Sequence, residues 1–234
     1  MSNIFRSITH RFSKKKNYLQ NRPFQINDKW LGSDYGGFFV ATEILDFKKN
    51  QEIIVYSAGV GTDISFDKAL MRRYRTAKIY AFDPTPISVE WIKRKKTPAN
   101  FIFHPIGIGT KNGKEQMFLP SSHRVSFTIH QWDEASKEHV EVEMKTINSI
   151  AEQHGHSFVD VLKMDIEGSE FEVLKALDFS KLSFGQILVE FHERFVENGV
   201  EIKNETIKRL ETHGYICFAI SSDYEYSFIN KRLL

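Results

Sequence analysis

Acidic and imidazole side chains stand close together at two points of the sequence. Asp165 and Glu167 follow an apolar run, two positions apart, and Gly168 comes next. Glu190 and His192 are also two positions apart, so they would share one face of a strand. These side chains could form an acid/base cluster, a site for a hard metal ion, or merely polar groups that face water. We assign all four to acid/base catalysis and no residue to a metal, with His192 as the best general base because histidine titrates near neutrality.

A glycine-containing turn follows another apolar run. Gly59 and Gly61 come just after Ser57 and residues 53–56, and glycine lets a chain turn sharply and lets a ligand approach the backbone. Asp83 ends the next apolar run, about 20 residues later, where a carboxylate can accept the hydroxyl groups of a ribose. A bare turn for the glycines and an Asp-Pro turn for Asp83 are the plainer alternatives. Together the features predict a ribose-bearing cofactor.

The residues after the glycine turn favour a cofactor without phosphate groups. A dinucleotide site needs a third glycine and an unblocked helix N-terminus for its pyrophosphate. Ile64 stands at the third-glycine position, and Asp63 and Asp67 fall where the predicted helix begins. Carboxylates there compete with a phosphate for the positive end of the helix dipole. S-adenosylmethionine meets these conditions, and a nicotinamide-dependent oxidoreductase is the less favoured alternative.

Strands and helices alternate along most of the chain, and this alternation would position the chemical groups. Short apolar runs predict strands over residues 53–56, 78–82, 101–103, 159–164 and 186–191. The amphipathic segments between them predict helices. Such an order implies right-handed crossovers and a mostly parallel sheet, whose ligands bind outside the carboxyl ends of the strands. Asp83, Asp165 and His192 fall at those ends.

Two parts of the sequence depart from this alternation. Asn112-Gly113 is a strong hairpin signal, which we expect to join the strand before it to a strand over residues 115–119. Residues 215–220 and 224–229 predict an antiparallel pair at the end of the chain. We therefore expect an α/β protein with an inserted hairpin and a C-terminal antiparallel pair.

Length and composition indicate a soluble globular protein. The chain has 234 residues, of which 41% are hydrophobic and 26% charged. The single cysteine, Cys217, cannot form an internal disulfide or a cysteine-based zinc cage, so we expect a reducing, cytoplasmic setting. We expect a basic tail over residues 1–22 and one domain over residues 23–234.

The tail and the body of the chain differ in charge. Residues 1–22 hold six basic residues and no acid, whereas the remainder holds 26 of the 32 basic residues and all 30 acidic ones. The tail is either a solvated leader or, through the apolar stripe Ile4, Ile8 and Phe12, a weak contact for an anionic membrane or a partner protein. Because the body is net acidic and shows no basic-aromatic stripe, we expect no nucleic-acid partner.

Several segments resemble one known family. Residues 162–170, LKMDIEGSE, resemble the signature of the FkbM-type, S-adenosylmethionine-dependent methyltransferases. Residues 32–37, 55–66, 81–85 and 105–109 resemble the methyltransferase-like subgroup of that family. The resemblance covers about residues 30–230. It implies a class I methyltransferase fold, Rossmann-like and usually with a seven-stranded sheet, and it usually implies O-methylation.

The resemblance also implies cofactor-binding roles for residues at the strand ends. These are Gly59 and Gly61 beneath the cofactor, Asp83 at the ribose, Ile106 and Gly107 beside the adenine, and Asp165 at the methionine end. One position departs from the class I pattern, since Tyr56 and Ser57 stand where an acidic residue is common. Asp63 or Asp165 is therefore expected to bind the amino group of the cofactor, and Ser57 is kept as a further cofactor contact.

The sequence as a whole predicts methyl transfer to the oxygen of a hydroxyl group on a sugar, glycan or small metabolite. Contacts with that acceptor are expected from Tyr35, His123, Arg124 and Trp132. The last three belong to residues 120–137, which lack a clear period and could equally form a solvated loop. A non-catalytic protein that keeps the fold and the cofactor is the other alternative.

Overall fold

The structure, a computed structural model, describes residues 25–118, 139–221 and 225–234. Among these residues no helix is both long enough and apolar enough to cross a membrane. The predicted tail over residues 1–22 and three of the predicted acceptor contacts, His123, Arg124 and Trp132, lie outside the described residues. The domain boundary at residue 23 therefore stays a prediction.

The described residues form twelve strands and six α-helices. In chain order these are β1 (Asp28–Leu31), β2 (Phe38–Ala41), α1 (Thr42–Phe47), β3 (Ile53–Ala58), α2 (Ser65–Arg73), β4 (Ala77–Phe82), α3 (Pro86–Lys93), β5 (Phe101–His104), β6 (Gly107–Ile108), β7 (Gly113–Phe118), β8 (His139–Lys145), α4 (Ile147–His154), β9 (Phe158–Met164), α5 (Glu170–Ala176), β10 (Ser183–Glu190), α6 (Gly199–Thr212), β11 (Tyr215–Ile220) and β12 (Glu225–Asn230). A short 3-10 helix, Glu193–Phe195, follows β10.

Seven strands form the central sheet, in the order β11-β12-β10-β9-β3-β4-β5. The strands β3, β4, β5, β9 and β10 run parallel to their neighbours among them, and β12 is antiparallel to both β10 and β11. The chain moves outward from β3 to β5 and then returns to β9 on the other side of β3. The strand order therefore reverses between β3 and β9, where a ligand cleft is expected. This confirms the predicted seven-stranded sheet and its C-terminal antiparallel pair.

Both faces of the sheet are buried, which explains why its inner strands read as continuous apolar runs. On one face, Tyr56 of β3 belongs to a core that includes Phe171 of α5 and Leu210 of α6. On the other face, Val55 of β3 belongs to a core that includes Leu70 of α2. The helices on the two faces hold the strands in register, so the residues after each strand are fixed relative to one another.

A second sheet, with the order β6-β8-β7, lies outside this alternation. The predicted inserted antiparallel pair exists, but it is formed by β7 and β8. The prediction that Asn112-Gly113 pairs its flanking strands is wrong, since β8 lies between β6 and β7. The reason is that β8 buries alternate apolar side chains against β7. Asn112 instead accepts hydrogen bonds from Thr146 N (2.9 Å) and Ser149 Oγ (2.8 Å) at the start of α4.

Three histidines and two tyrosines pack together beside the edge of the central sheet. The ring of Tyr80 lies 4.6 Å from that of His154 and 5.2 Å from that of His156, between centroids. Tyr56 Oη lies 2.8 Å from His156 Nδ1. The buried Nε2 of His104 has no hydrogen-bond partner among the described residues. Burial lowers the pKa of all three histidines, and the neighbouring His154 adds to the effect for His104 and His156.

This histidine cluster predicts acid sensitivity of the fold. Below about pH 6.5 the unfolded chain takes up protons that the folded histidines resist, so the free energy of unfolding falls as the pH falls. His104→Phe removes one resisting group and will show a shallower fall than the wild type in urea unfolding across a pH series. The exposed His139→Gln variant is the control and will follow the wild type. Identical slopes for His104→Phe and wild type would refute this explanation.

Candidate active site

A cleft of about 270 Å³ opens at the carboxyl ends of β3, β4 and β9. This is the point where the strand order reverses. The predicted site residues that line it are Tyr35, Gly59, Gly61, Asp63, Asp83, Gly107, Asp165 and Glu167. Four other predicted site residues, Ser57, Ile106, Glu190 and His192, are not among its lining residues. The sheet topology therefore brings most of the predicted residues into one cleft.

The two glycines after β3 have different structural tasks, although both have positive φ. At Gly59, φ is +79°, and an added Cβ would lie 1.6 Å from the backbone oxygen of Asp165. At Gly61, φ is +52°, and an added Cβ would meet no atom within 4 Å. Gly59 thus allows the ends of β3 and β9 to approach each other, while Gly61 borders open space in the cleft.

Asp83 is buried, and its carboxylate accepts four hydrogen bonds from the chain itself. Its Oδ2 accepts from Val60 N (3.0 Å) and Gly61 N (2.8 Å). Its Oδ1 accepts from Thr85 N (2.9 Å) and Thr85 Oγ1 (2.6 Å). Because a carboxylate has about four lone-pair positions, these donors use its capacity. Asp83 holds the glycine turn against the end of β4, and a ribose hydroxyl at Asp83 would have to replace one of these bonds.

Asp63 ties an N-terminal loop to the start of α2. Its Oδ1 accepts from Ser65 N (2.7 Å), and its Oδ2 accepts from Ser65 Oγ (3.0 Å) and Ser33 Oγ (2.5 Å). Burial raises the pKa of Asp63, but the hydrogen bonds from Ser33 and Ser65 outweigh it, so that the pKa lies below its usual value. Asp63 is therefore negatively charged where it lines the cleft.

Lys163 is a site residue that the sequence reasoning missed. It is buried on β9 and donates a hydrogen bond from Nζ to Gly59 O (2.7 Å). Burial raises the pKa of the nearby Asp67, although the charge of Lys163 and a hydrogen bond from Ser57 act in the opposite direction. The buried hydroxyl of Ser57 thus serves Asp67 instead of lining the cleft. A lysine inside a largely apolar strand was the available signal.

Four carboxylates surround His192, which is 2% exposed. Its Nε2 lies 3.5 Å from Glu190 Oε1, 3.6 Å from Glu167 Oε2 and 3.8 Å from Asp165 Oδ1. Its Nδ1 lies 2.9 Å from Glu170 Oε1. Burial alone would lower the pKa of His192, but Glu170, Asp165 and Glu190 together raise it to about 9. The expected near-neutral pKa of His192 is therefore wrong, because the sequence could not show how many carboxylates face the ring.

The surrounding residues raise the pKa of Glu190 and give Glu170 a structural role. Burial and the charge of Asp165 raise the pKa of Glu190 to about 8. Glu170 is fully buried, and it accepts hydrogen bonds from Ile166 N (2.8 Å) and Gly168 N (3.0 Å). Glu170 therefore fixes the turn after β9.

Apolar side chains form another wall of the cleft. Ile87, Ile108, Met117 and Met144 line it. Gly107 allows close packing there, since an added Cβ would lie 2.2 Å from Met144 Sδ. Ile106 packs against the hydrophobic core and is not among the residues that line the cleft. The apolar contact expected from Ile106 is thus available from Ile108.

Comparison with known proteins gives one family and several similar folds. A family model described as the methyltransferase FkbM domain matches residues 54–217. A fibrillarin pre-rRNA processing protein from Methanococcus jannaschii is 12% identical, with 93% of this chain and 87% of that chain covered and a TM-score of 0.45. A precorrin-6y C5,15-methyltransferase from Geobacter metallireducens GS-15 is 15% identical, with coverages of 80% and 84% and a TM-score of 0.42. No curated protein matches the chain.

Proposed function

The chain belongs to the FkbM methyltransferase family, and we propose that it methylates a hydroxyl oxygen on a sugar, glycan or small metabolite. As a family member it is an S-adenosylmethionine-dependent methyltransferase with a class I, Rossmann-like fold. The observation that carries the choice of oxygen is the pair of carboxylates, Asp165 and Glu167, at the rim of the cleft. A carboxylate there can take the proton that a hydroxyl group loses when its oxygen is methylated.

The cleft fits S-adenosylmethionine in three respects. The open space at Gly61 leaves room for a ligand against the backbone, and the apolar wall, including Ile108 and Met117, suits a flat adenine ring. The carboxylates of Asp63 and Asp165 suit a positively charged amino group. When bound, the cofactor supplies a methyl carbon that bonds to the acceptor oxygen as its bond to sulfur breaks.

The same residues make a poor site for a nicotinamide dinucleotide. The charged Asp63 stands just before α2, where a pyrophosphate would otherwise be attracted by the helix dipole. Ile64 is 2% exposed and occupies the position of the third glycine. The oxidoreductase alternative is therefore not supported.

We assign the general base to Glu167 on geometric grounds. Glu167 and Asp165 line the cleft, whereas His192 lies behind them and is buried. An acceptor hydroxyl in the cleft meets Glu167 or Asp165 before it can reach His192. Asp165 Oδ2 lies 3.8 Å from Lys163 Nζ, so an ion pair already engages one oxygen of Asp165. Glu190 and His192 then act as positioning residues.

The proposal is tested by incubating the protein with labelled S-adenosylmethionine and a panel of sugars and small alcohols, each paired with its amine analogue. We expect label to enter a hydroxyl compound as a methyl ether, with an equal amount of S-adenosylhomocysteine. Methylation of only the amine analogues would contradict the choice of oxygen. Retained cofactor binding with no transfer to any compound would favour the non-catalytic alternative.

Replacing Asp83 will weaken cofactor binding. In Asp83→Ala the backbone amides of Val60 and Gly61 lose their acceptor, so the glycine turn loses its shape. We expect the affinity for S-adenosylhomocysteine to fall at least about tenfold, or ~1.4 kcal/mol, in calorimetry. Asp46→Asn, whose carboxylate lies on the surface beside Arg73, is the control and will bind as the wild type does. An unchanged affinity in folded Asp83→Ala would refute this role.

We also propose an acceptor contact, a partner contact and a cellular location. Tyr35 lines the cleft and is 68% exposed, so we propose it as an acceptor contact. The free thiol of Cys217 supports a cytoplasmic location. The weak membrane or partner contact proposed for residues 1–22 rests on their positive charge and their apolar stripe. The expectation of no nucleic-acid partner rests on the net acidic body and its lack of a basic-aromatic stripe.

A further inference from the structure

The geometry points to a binding site for one divalent metal ion formed by Asp165, Glu190 and His192, beside the methyl-transfer cleft. Each residue offers one ligand atom, and these three atoms lie within 4.8 Å of one another. Asp165 Oδ1 and Glu190 Oε1 lie 3.8 and 3.5 Å from His192 Nε2. Neighbouring ligands of an octahedral ion are separated by roughly 3 Å, given bonds of about 2.1 Å. Small side-chain movements are therefore sufficient to bring all three atoms to one ion.

The imidazole of His192 adds a nitrogen ligand to the acidic groups. The side chain is 2% exposed, and its Nε2 faces Glu190, Glu167 and Asp165 at 3.5 to 3.8 Å, distances longer than an ordinary hydrogen bond. A metal ion between Nε2 and the oxygens would replace these long contacts with short ligand bonds.

The other ring nitrogen is held as it is in known metal sites. His192 Nδ1 lies 2.9 Å from Glu170 Oε1, and Glu170 is itself fixed by the backbone amides of Ile166 and Gly168. A metal-binding histidine almost always donates its second N–H to a carboxylate, a carbonyl or water, which fixes the ring and its tautomer. Glu170 therefore orients Nε2 toward the proposed ion.

The site also leaves Asp165 able to serve two positive groups. Its Oδ1 faces His192 Nε2, whereas its Oδ2 lies 3.8 Å from Lys163 Nζ. The ion would use Oδ1 and leave the contact with Lys163 intact. With two carboxylate ligands and one imidazole, the site suits a first-row ion such as Mn²⁺ better than Mg²⁺, which prefers oxygen ligands only.

The catalytic role of the ion rests on the proposed function, whereas the assignment of its three ligands does not. Three protein ligands leave coordination positions free, as in catalytic metal sites. Asp165 lines the cleft, so a free position there could take the acceptor oxygen and lower the pKa of its hydroxyl group. The proton would pass to Glu167, and the oxygen would then accept the methyl group.

The test is a titration of the purified full-length protein with Mn²⁺, followed by calorimetry and electron paramagnetic resonance. We expect one saturable ion with magnetic coupling to a nitrogen nucleus. Glu190→Gln and Asp165→Asn, both at partly exposed side chains, will each weaken binding at least about tenfold. In His192→Gln the nitrogen coupling will disappear. The matched control is Glu172→Gln, an exposed carboxylate on α5, which will bind as the wild type does.

Circular dichroism and thermal unfolding will show whether each variant is folded. The inference is overturned if the folded wild type binds no Mn²⁺ saturably, if folded Glu190→Gln binds it equally well, or if the bound ion shows no nitrogen coupling. S-adenosylhomocysteine binding, measured on the same samples without metal, separates the two proposals. Cofactor binding without Mn²⁺ binding overturns the metal site alone, whereas Mn²⁺ binding without cofactor binding overturns the proposed function.

Discussion

Gly59→Ala will lose S-adenosylhomocysteine binding and unfold at a temperature lower by roughly 10 °C, which corresponds to about 3 kcal/mol for a chain of this size. The added Cβ would lie 1.6 Å from Asp165 O, a backbone atom that no side-chain rotation can move. The positive φ of +79° adds a strain of about 1–2 kcal/mol, and overpacking costs about 1–3 kcal/mol more. This clash is relieved only if the ends of β3 and β9 separate, and that separation deforms the cleft.

Gly61→Ala is the matched control for this prediction. It shares the positive φ but meets no atom within 4 Å, so only the strain of about 1–2 kcal/mol applies. Thermal unfolding and calorimetry on both variants separate the clash from the strain. If the two variants lose the same stability, the close approach of Gly59 to Asp165 is not what holds the cleft together.

Glu167→Gln will lower kcat by about 100-fold or more, the usual contribution of a general base. The amide keeps the size of the side chain but cannot take the hydroxyl proton at the rim of the cleft. KM and the affinity for S-adenosylhomocysteine will change little, because the loss falls on the transition state and not on binding. Steady-state kinetics with the acceptor found in the panel, together with calorimetry, measure the two effects separately.

Glu172→Gln, five positions away and exposed, is the kinetic control and will keep the wild-type kcat. A loss of kcat that is matched by an equal loss of cofactor affinity would assign Glu167 to binding. An unchanged kcat would move the general base to Asp165, the other carboxylate that lines the cleft.

The sequence was sufficient to predict the central sheet because its physical signal is local. Buried parallel strands read as short apolar runs, and helices between them leave a period that can be counted. The strand pairing in the second, inserted sheet was harder to predict. Asn112-Gly113 is a strong local turn signal, but the partner of β7 is β8, separated from it by residues 119–138. Burial of apolar side chains on β8 decided the pairing, and a turn dipeptide carries no information about it.

The sequence predicted which site residues lie at the ends of strands, but it did not predict which side chains surround them. Asp83, Asp165 and Glu167 line one cleft because topology requires the strand ends to meet. Two features depended on contacts distant in sequence: Glu170, which faces His192, and Lys163, which reaches Gly59. These contacts decide the pKa of His192 and the shape of the glycine turn, so the sequence alone could not provide them.

The most direct test of the central claim is a calorimetric titration of the wild-type protein with S-adenosylhomocysteine, with NADH as the parallel ligand. We expect saturable, micromolar binding of one S-adenosylhomocysteine per chain and no binding of NADH, because Asp63 opposes a pyrophosphate at the start of α2. Binding of NADH without binding of S-adenosylhomocysteine would contradict the account of the cleft given by Gly61, Asp63 and Asp165.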